Sequence, residues 1–143
     1  MIRFIYRGNS YNKAREKIIQ SIVDKTYSLI ELPENIEIEF LDLSPAVYGE
    51  TVLDYRFRNR IRLNENLNAR EVIIPLIHEL LHLNQVVCGH LSCKRNGSYV
   101  WKKKVYTIAQ NHTYKEYQNL PWEMDVAQKQ QKLLEKVLEG LDE

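Results

Sequence analysis

Two imidazoles four residues apart, with a carboxylate beside the first, make His78-Glu79-Leu80-Leu81-His82 the stretch of this chain best equipped for chemistry. Four residues of an α-helix advance about 400°, so His78 and His82 emerge on one face within reach of a single ion, and paired imidazole nitrogens suit zinc. Glu79 is then placed to take a proton from a water that the ion activates rather than to act as a ligand. The chemistry this predicts is metal-assisted hydrolysis of a peptide bond. Val72, Ile73, Ile74, Leu76, Ile77, Leu80, Leu81, Leu83, Val86 and Val87 surround the motif almost continuously, which predicts a buried helix with Gly89 as its C′ residue. The bland alternative, a solvent-facing His pair on an amphipathic helix, fits poorly with so apolar a segment.

Two His do not hold a catalytic zinc; a third protein ligand is needed, with one position left open. A metzincin pattern would place Gly three residues and His six residues after the second His, where this chain has Gln85 and Cys88. A carboxylate from a later helix is the other common solution. The downstream acids are Glu116, Glu123, Asp125, Glu135, Glu139, Asp142 and Glu143. The last four lie far along or beyond the final helix, and Glu116 falls in an expected loop. Glu123 sits in the first turn of a helix that Pro121 starts, on a rigid element, which makes it the expected ligand; Asp125 and Glu116 remain the alternatives. An acid in that first turn is also favoured simply by the helix dipole.

The elements that must position these groups follow from periodicity. Ala14, Ile18, Ile22, Thr26 and Leu29, widened by Ile19, Val23 and Ile30, predict a scaffold helix over residues 10–30. Pro33-Glu34-Asn35 ends it, and Ile36-Glu37-Ile38-Glu39-Phe40 alternates as a half-buried strand does. Residues 47–55 and 60–63 predict two further strands turning near Arg58-Asn59, so the expected order is helix and then a three-stranded sheet. Asn68 and Glu71 form a capping-box pattern ahead of the His-bearing helix, in which Pro75 predicts a kink or a second start. Tyr99-Val100-Trp101 and Val105-Tyr106 predict a short hairpin. Trp122, Val126, Gln130, Leu133, Val137 and Leu141 line one face of the last helix. The expected fold class is α+β, as one domain over residues 1–143.

Composition narrows the partners. Twenty Lys plus Arg against 19 Asp plus Glu leave a net charge of +1, with no overall pull toward nucleic acid or membrane lipid. Neither a signal peptide nor a membrane span is recognisable, which predicts a cytoplasmic protein. Cys88 and Cys93 are the only cysteines; with His90 they could imitate a second metal site, but the better expectation is a small buried thiol pair. Lys102-Lys103-Lys104 between Trp101 and Tyr106 offers cations and rings to a nucleic acid, although such runs are usually just solvated. Tyr106, Tyr114, Tyr117 and His112 are candidates to hold a developing oxyanion, each of them more often a packing aromatic or a surface His.

His78 to His82, followed by Gly89-His90-Leu91, Val100-Trp101-Lys102, Tyr106 and Leu120-Pro121-Trp122-Glu123-Met124-Asp125, resembles the small HExxH metallopeptidase-like proteins common in bacteriophage genomes, described as SprT-like or as minimal gluzincins. The resemblance spans roughly residues 60–130. It implies a zincin-like fold, a Zn²⁺ cofactor, a protein or peptide substrate and, for a phage protein, the host cytoplasm. A helix-borne Glu, with a small residue three positions on, is the third ligand in related gluzincins. Carried over, that Glu is Glu123, although Val126 stands where the small residue is expected. The resemblance further implies a sheet packed on the zinc helix, whose edge strand, around residues 47–55, pairs with an extended substrate. SprT-like proteases act on DNA-bound proteins, which lends the Lys run some support. A different reading keeps the metal and drops the catalysis: if His90 or Cys93 closes the site, the protein is a zinc-stabilised binding module.

Overall fold

The computed structural model describes residues 1–8, 11–53, 59–108 and 113–141, arranged as an α+β fold. Its main sheet has four strands rather than the expected three: β1 (Ile2–Tyr6), β2 (Ile36–Leu41), β3 (Gly49–Thr51) and β4 (Arg60–Asn64), in the order β1-β2-β4-β3. β1, β2 and β4 run parallel, and β3 is antiparallel at the end of the order. The additional strand, β1, pairs Ile2 with Ile36 through Tyr6 with Phe40, and Tyr6 and Phe40 stack at 5.1 Å between centroids. A parallel partner has to come from across a helix, and β1 and β2 are joined by α1 (Lys13–Tyr27).

Alternation gives the sheet two unlike faces. Ile36, Ile38 and Phe40 are fully buried against the helices, while Glu37 and Glu39 point the other way. On that second face Glu37 pairs with Arg3 and Arg60, and Glu39 lies 2.5 Å from Arg7 Nε and 2.9 Å from Arg62 Nε, so charge stitches the strands together. Burial alone would raise the Glu39 pKa; hydrogen bonds from Arg7 and Arg62 outweigh it and hold the carboxyl below its usual value.

α1 is shorter than the 10–30 segment expected. Asn12, in extended conformation, caps it by accepting from the Arg15 N–H, and Ala14 and Leu29 are exposed. Its buried face is Arg15, Ile19, Ile22, Val23 and Thr26. Arg15 is 1% exposed; it donates to the carbonyls of Glu65 and Leu67 at 2.8 and 2.9 Å and lies over the Phe40 ring. The guanidinium thereby ties α1 to the loop that leads to the His-bearing helix.

That helix, α2 (Ile73–Val87), follows a turn closed by the expected capping box: Glu71 N–H donates to Asn68 Oδ1 at 2.9 Å and Asn68 N–H to Glu71 Oε1 at 3.0 Å. Pro75 falls in the first turn of α2, where backbone N–H groups have no helical partner anyway, so the second start wins over the kink. At the other end Gly89 adopts φ +79°, and the N–H groups of Gly89 and His90 return to the carbonyls of Val86 and Gln85, a Schellman closure. Leu76, Ile77, Leu80 and Leu83 pack fully buried against the sheet and the last helix, α4 (Pro121–Leu141), whose Val126, Leu133 and Val137 complete the core.

Between α2 and α4 the chain makes a second, three-stranded antiparallel sheet. The expected hairpin, β6 (Tyr99–Trp101) and β7 (Lys104–Tyr106), is joined by β5 (Leu91–Cys93). Leu91 and Trp101 bury against Trp122 of α4 in a small cluster distinct from the main core. Residues 114–118 form a short helix, α3 (Tyr114–Gln118), capped by Thr113, so Glu116 lies in a helix rather than a loop. No helix among the described residues is long and apolar enough to cross a membrane.

Candidate metal centre

Helical spacing brings His78 and His82 together as expected, their ring centroids 5.0 Å apart. Among the described residues, the one group of three or more His, Cys, Asp or Glu side chains whose ligand atoms lie within 4.8 Å of one another is His78, Glu79 and His82. α4 crosses this face of α2 and adds Glu123, 5% exposed: its Oε1 and Oε2 are each 3.0 Å from His82 Nε2, and its Oε1 is 3.6 Å from His78 Nε2. Ligands 2.0–2.1 Å from a tetrahedral ion are separated by about 3.3 Å, and the two nitrogen–carboxylate distances here bracket that value, so the arrangement could hold a metal ion. Glu79 is nearby, but it is turned toward β3, where its Oε1 accepts from the Thr51 hydroxyl at 2.9 Å. His82 and Glu123 are almost wholly buried, whereas the His78 side chain is 31% exposed, so the centre opens to solvent on the His78 side.

The electrostatics are those of cations held among carboxylates. Burial disfavours a charged His78 ring, yet the hydrogen bond to Glu123 and the charge of Glu79 prevail and lift its pKa to about 9. His82 is raised for the same reasons, against a stronger desolvation. Glu123 is pushed up by burial but held well below the carboxylate range by His78, His82 and Tyr117. Desolvation dominates at Glu79 and raises its carboxyl. Without an ion, both imidazoles are biased toward the protonated form that faces Glu123; a divalent cation can take the place of such a proton.

Four supporting groups are not identifiable from motif alone. Thr51, at the end of β3, fixes Glu79. Gly49 passes so close that a Cβ there would stand 3.0 Å from Leu63 Cδ2 and 3.5 Å from Glu79 Cγ, which explains glycine at this position. Gln85 Oε1 and Gln130 Oε1 lie 2.8 Å from the Nδ1 atoms of His82 and His78. Gln85 stands three residues after His82 and Gln130 seven after Glu123, spacings that helical phase makes meaningful only once α2 and α4 are known to pack together.

The remaining candidates are placed as follows. Of the oxyanion candidates, Tyr117 reaches the centre, its hydroxyl donating to Glu123 Oε1 at 2.6 Å; burial and that carboxylate drive its pKa upward. Tyr106 packs on Trp122, Tyr114 is exposed, and His112 lies outside the described residues. Asp125 instead accepts from Gln85 Nε2 at 2.8 Å and pairs with Lys129, and Glu116 is exposed on α3. Cys88 is exposed and Cys93 only half-buried, so they are not a buried thiol pair: Cys88 caps the exposed end of α2, and Cys93 ends the short strand β5. Together with His90 they form no group of converging ligand atoms. Lys102 and Lys103 occupy the β6–β7 turn with φ 47° and 74°, and the Lys102 ammonium lies over the ring of Trp101, which is 8% exposed.

Compared with protein-family models, curated proteins and solved structures, the chain matches none of them.

Proposed function

We propose that this protein is a zinc-dependent peptidase of the HExxH type with a zincin-like arrangement, in which His78, His82 and Glu123 hold the ion and Glu79 is the general base. The observation that carries the reading is the meeting of the Glu123 carboxylate with both Nε2 atoms at 3.0 and 3.6 Å, from a helix 41 residues away in sequence from His82. Zinc, when bound, would supply a Lewis acid for the scissile carbonyl and acidify a water in the open position. Glu79 takes the proton of the attacking water and returns it to the leaving amine nitrogen. The Thr51 hydroxyl occupies Glu79 Oε1, leaving Oε2 for that proton. Tyr117, whose raised pKa keeps its hydroxyl protonated, gives that one proton to Glu123 Oε1 and so holds the third ligand in place.

The edge of the sheet gives the substrate a place. Asn64 N–H bonds to Tyr48 O and Val52 N–H to Arg60 O, so in the alternating antiparallel pattern Gly49 and Thr51 direct their own N–H and C=O away from β4. An extended peptide laid along this edge adds a strand to the sheet beside Glu79. The substrate class is therefore an unfolded or locally extended polypeptide.

The test compares the zinc-loaded protein with Glu79→Gln on a fluorescently quenched unfolded protein, with bound metal measured in parallel. Hydrolysis by the unsubstituted chain, falling at least about a hundredfold in Glu79→Gln at unchanged zinc content, supports the assignment. Zinc bound at one equivalent without hydrolysis would leave a binding module, and zinc retained undiminished by Glu123→Ala would remove the third ligand.

A further inference from the structure

The two glutamines behind the imidazoles differ in kind from the carboxylates that often orient metal-bound histidines, and the amide of Gln85 is fixed by its own partners. Gln85 Nε2 donates to Trp122 O at 2.9 Å and to Asp125 Oδ2 at 2.8 Å. Both partners are pure acceptors, so both amide protons are spoken for and the amide cannot be flipped. Its Oε1 must be the atom 2.8 Å from His82 Nδ1, and an oxygen at that place requires Nδ1 to carry a proton. When the Nε2 proton that faces Glu123 is given up, Nε2 is then the nitrogen that offers its lone pair to an ion. Gln130 repeats the arrangement on the other ring, its Oε1 2.8 Å from His78 Nδ1. It lies on α4, two helical turns beyond Glu123 and on the same face, so one helix supplies a direct donor to the centre and the acceptor that orients a second.

We propose that Gln85 and Gln130 are positioning residues that select Nε2 of both imidazoles for the metal, and that their neutral amides hold the affinity for zinc below what carboxylates in the same places would give. This rests on the metal-centre reading above, although not on catalysis. A carboxylate partner polarises the N–H of an imidazole and makes the opposite nitrogen a stronger donor; an amide oxygen orients the ring with less polarisation. Here the direct ligands contribute a single negative charge, from Glu123, and the two orienting groups contribute none. Gln130 is the position to vary, because it is half-buried at the open side of the centre, whereas Gln85 is 2% exposed and also anchors α4 through Trp122.

The experiment uses the full chain stripped of metal and reloaded. Zn²⁺ affinity is measured by competition with a chromophoric chelator for the unsubstituted protein, Gln130→Leu and Gln130→Glu, with the Co²⁺ absorption spectrum and the melting temperature of each metal-free form. Long-range ¹⁵N–¹H spectra of the zinc-loaded unsubstituted protein read the tautomers. Expected are Nδ1–H on both rings, a loss of about tenfold or more in affinity for Gln130→Leu, and affinity in Gln130→Glu at or above that of the parent, with the Co²⁺ bands displaced in the Leu variant alone. Affinity within twofold of the parent in Gln130→Leu, or no recovery in Gln130→Glu, overturns the proposal while leaving the metal centre standing. Nε2–H on either ring overturns it without any variant. If the unsubstituted chain binds no zinc, the metal reading fails and takes this one with it.

Discussion

Zinc loading of the metal-free protein at pH 7 is expected to release about one proton from His78, with a further contribution from His82. With its pKa at about 9, the His78 ring is almost fully protonated at about pH 7 and must lose that proton before Nε2 can bind a cation. The separation of about two pH units corresponds to about 3 kcal/mol, or a hundredfold in apparent affinity, from His78 alone. His82, also raised by its carboxylate neighbours, adds to this release, and Glu123, held ionised, adds none. Apparent affinity therefore climbs between about pH 7 and about pH 9 and levels off above it. The sign for stability is opposite in the metal-free form. Because the folded pKa lies above the unfolded value of 6.5, the interaction of the charged rings with Glu123 and Glu79 is fully present below pH 6.5 and lost as pH rises through about 9. The melting-temperature gap between loaded and metal-free protein should thus widen over that window. Calorimetric titration in buffers of different ionisation enthalpy counts the protons, and melts across the same pH range follow the gap. Release of less than about half a proton, or affinity independent of pH, refutes the charged-imidazole account.

Other perturbations probe the scaffold. Glu39→Gln removes the charge between Arg7 and Arg62; since the folded Glu39 pKa is depressed, its stabilisation exists above the reference value of 4.5 and fades as pH falls through the folded one. The variant should lose about 1–3 kcal/mol at neutral pH and show a flatter acid limb in thermal melts. Arg15→Leu leaves the carbonyls of Glu65 and Leu67 without the guanidinium, and urea unfolding should show a loss of about 2–4 kcal/mol; a loss under about 1 would mean that water or side-chain rearrangement replaces it. Gly49→Ala puts a Cβ 3.0 Å from Leu63 Cδ2 and 3.3 Å from the Arg62 carbonyl oxygen, so the melting temperature should fall, by about 1–3 kcal/mol of stability, while zinc affinity stays near that of the parent.

The three side chains that converge, His78, His82 and Glu123, were legible in the sequence because each is tied to a helix phase: the imidazoles to an apolar run, Glu123 to the start that Pro121 imposes. The capping box at Asn68 and Glu71, and the turn at Gly89, were equally local and equally readable. What escaped depends on distant pairing. β1 carries two arginines nearby and is only five residues long, and its alternation acquires meaning from a parallel partner beyond a helix. β5 has three residues, too few for any periodicity. Thr51, Gln85 and Gln130 are residue types found on any surface; they become part of the centre through the packing of β3 and α4 on α2, which no local pattern encodes. The two cysteines misled because an apolar run precedes them, yet α2 is already exposed at Val87 before it ends at Cys88.

The groups gathered around the imidazoles stand on α2, α4 and the main sheet, all rooted in one core, whereas residues 91–108 rest on their own small cluster of Leu91, Trp101 and Trp122. Trp122, whose ring belongs to that small cluster, is the neighbour of Glu123 and gives its carbonyl to Gln85, so loosening the small sheet would be felt at the imidazoles through a single residue of α4.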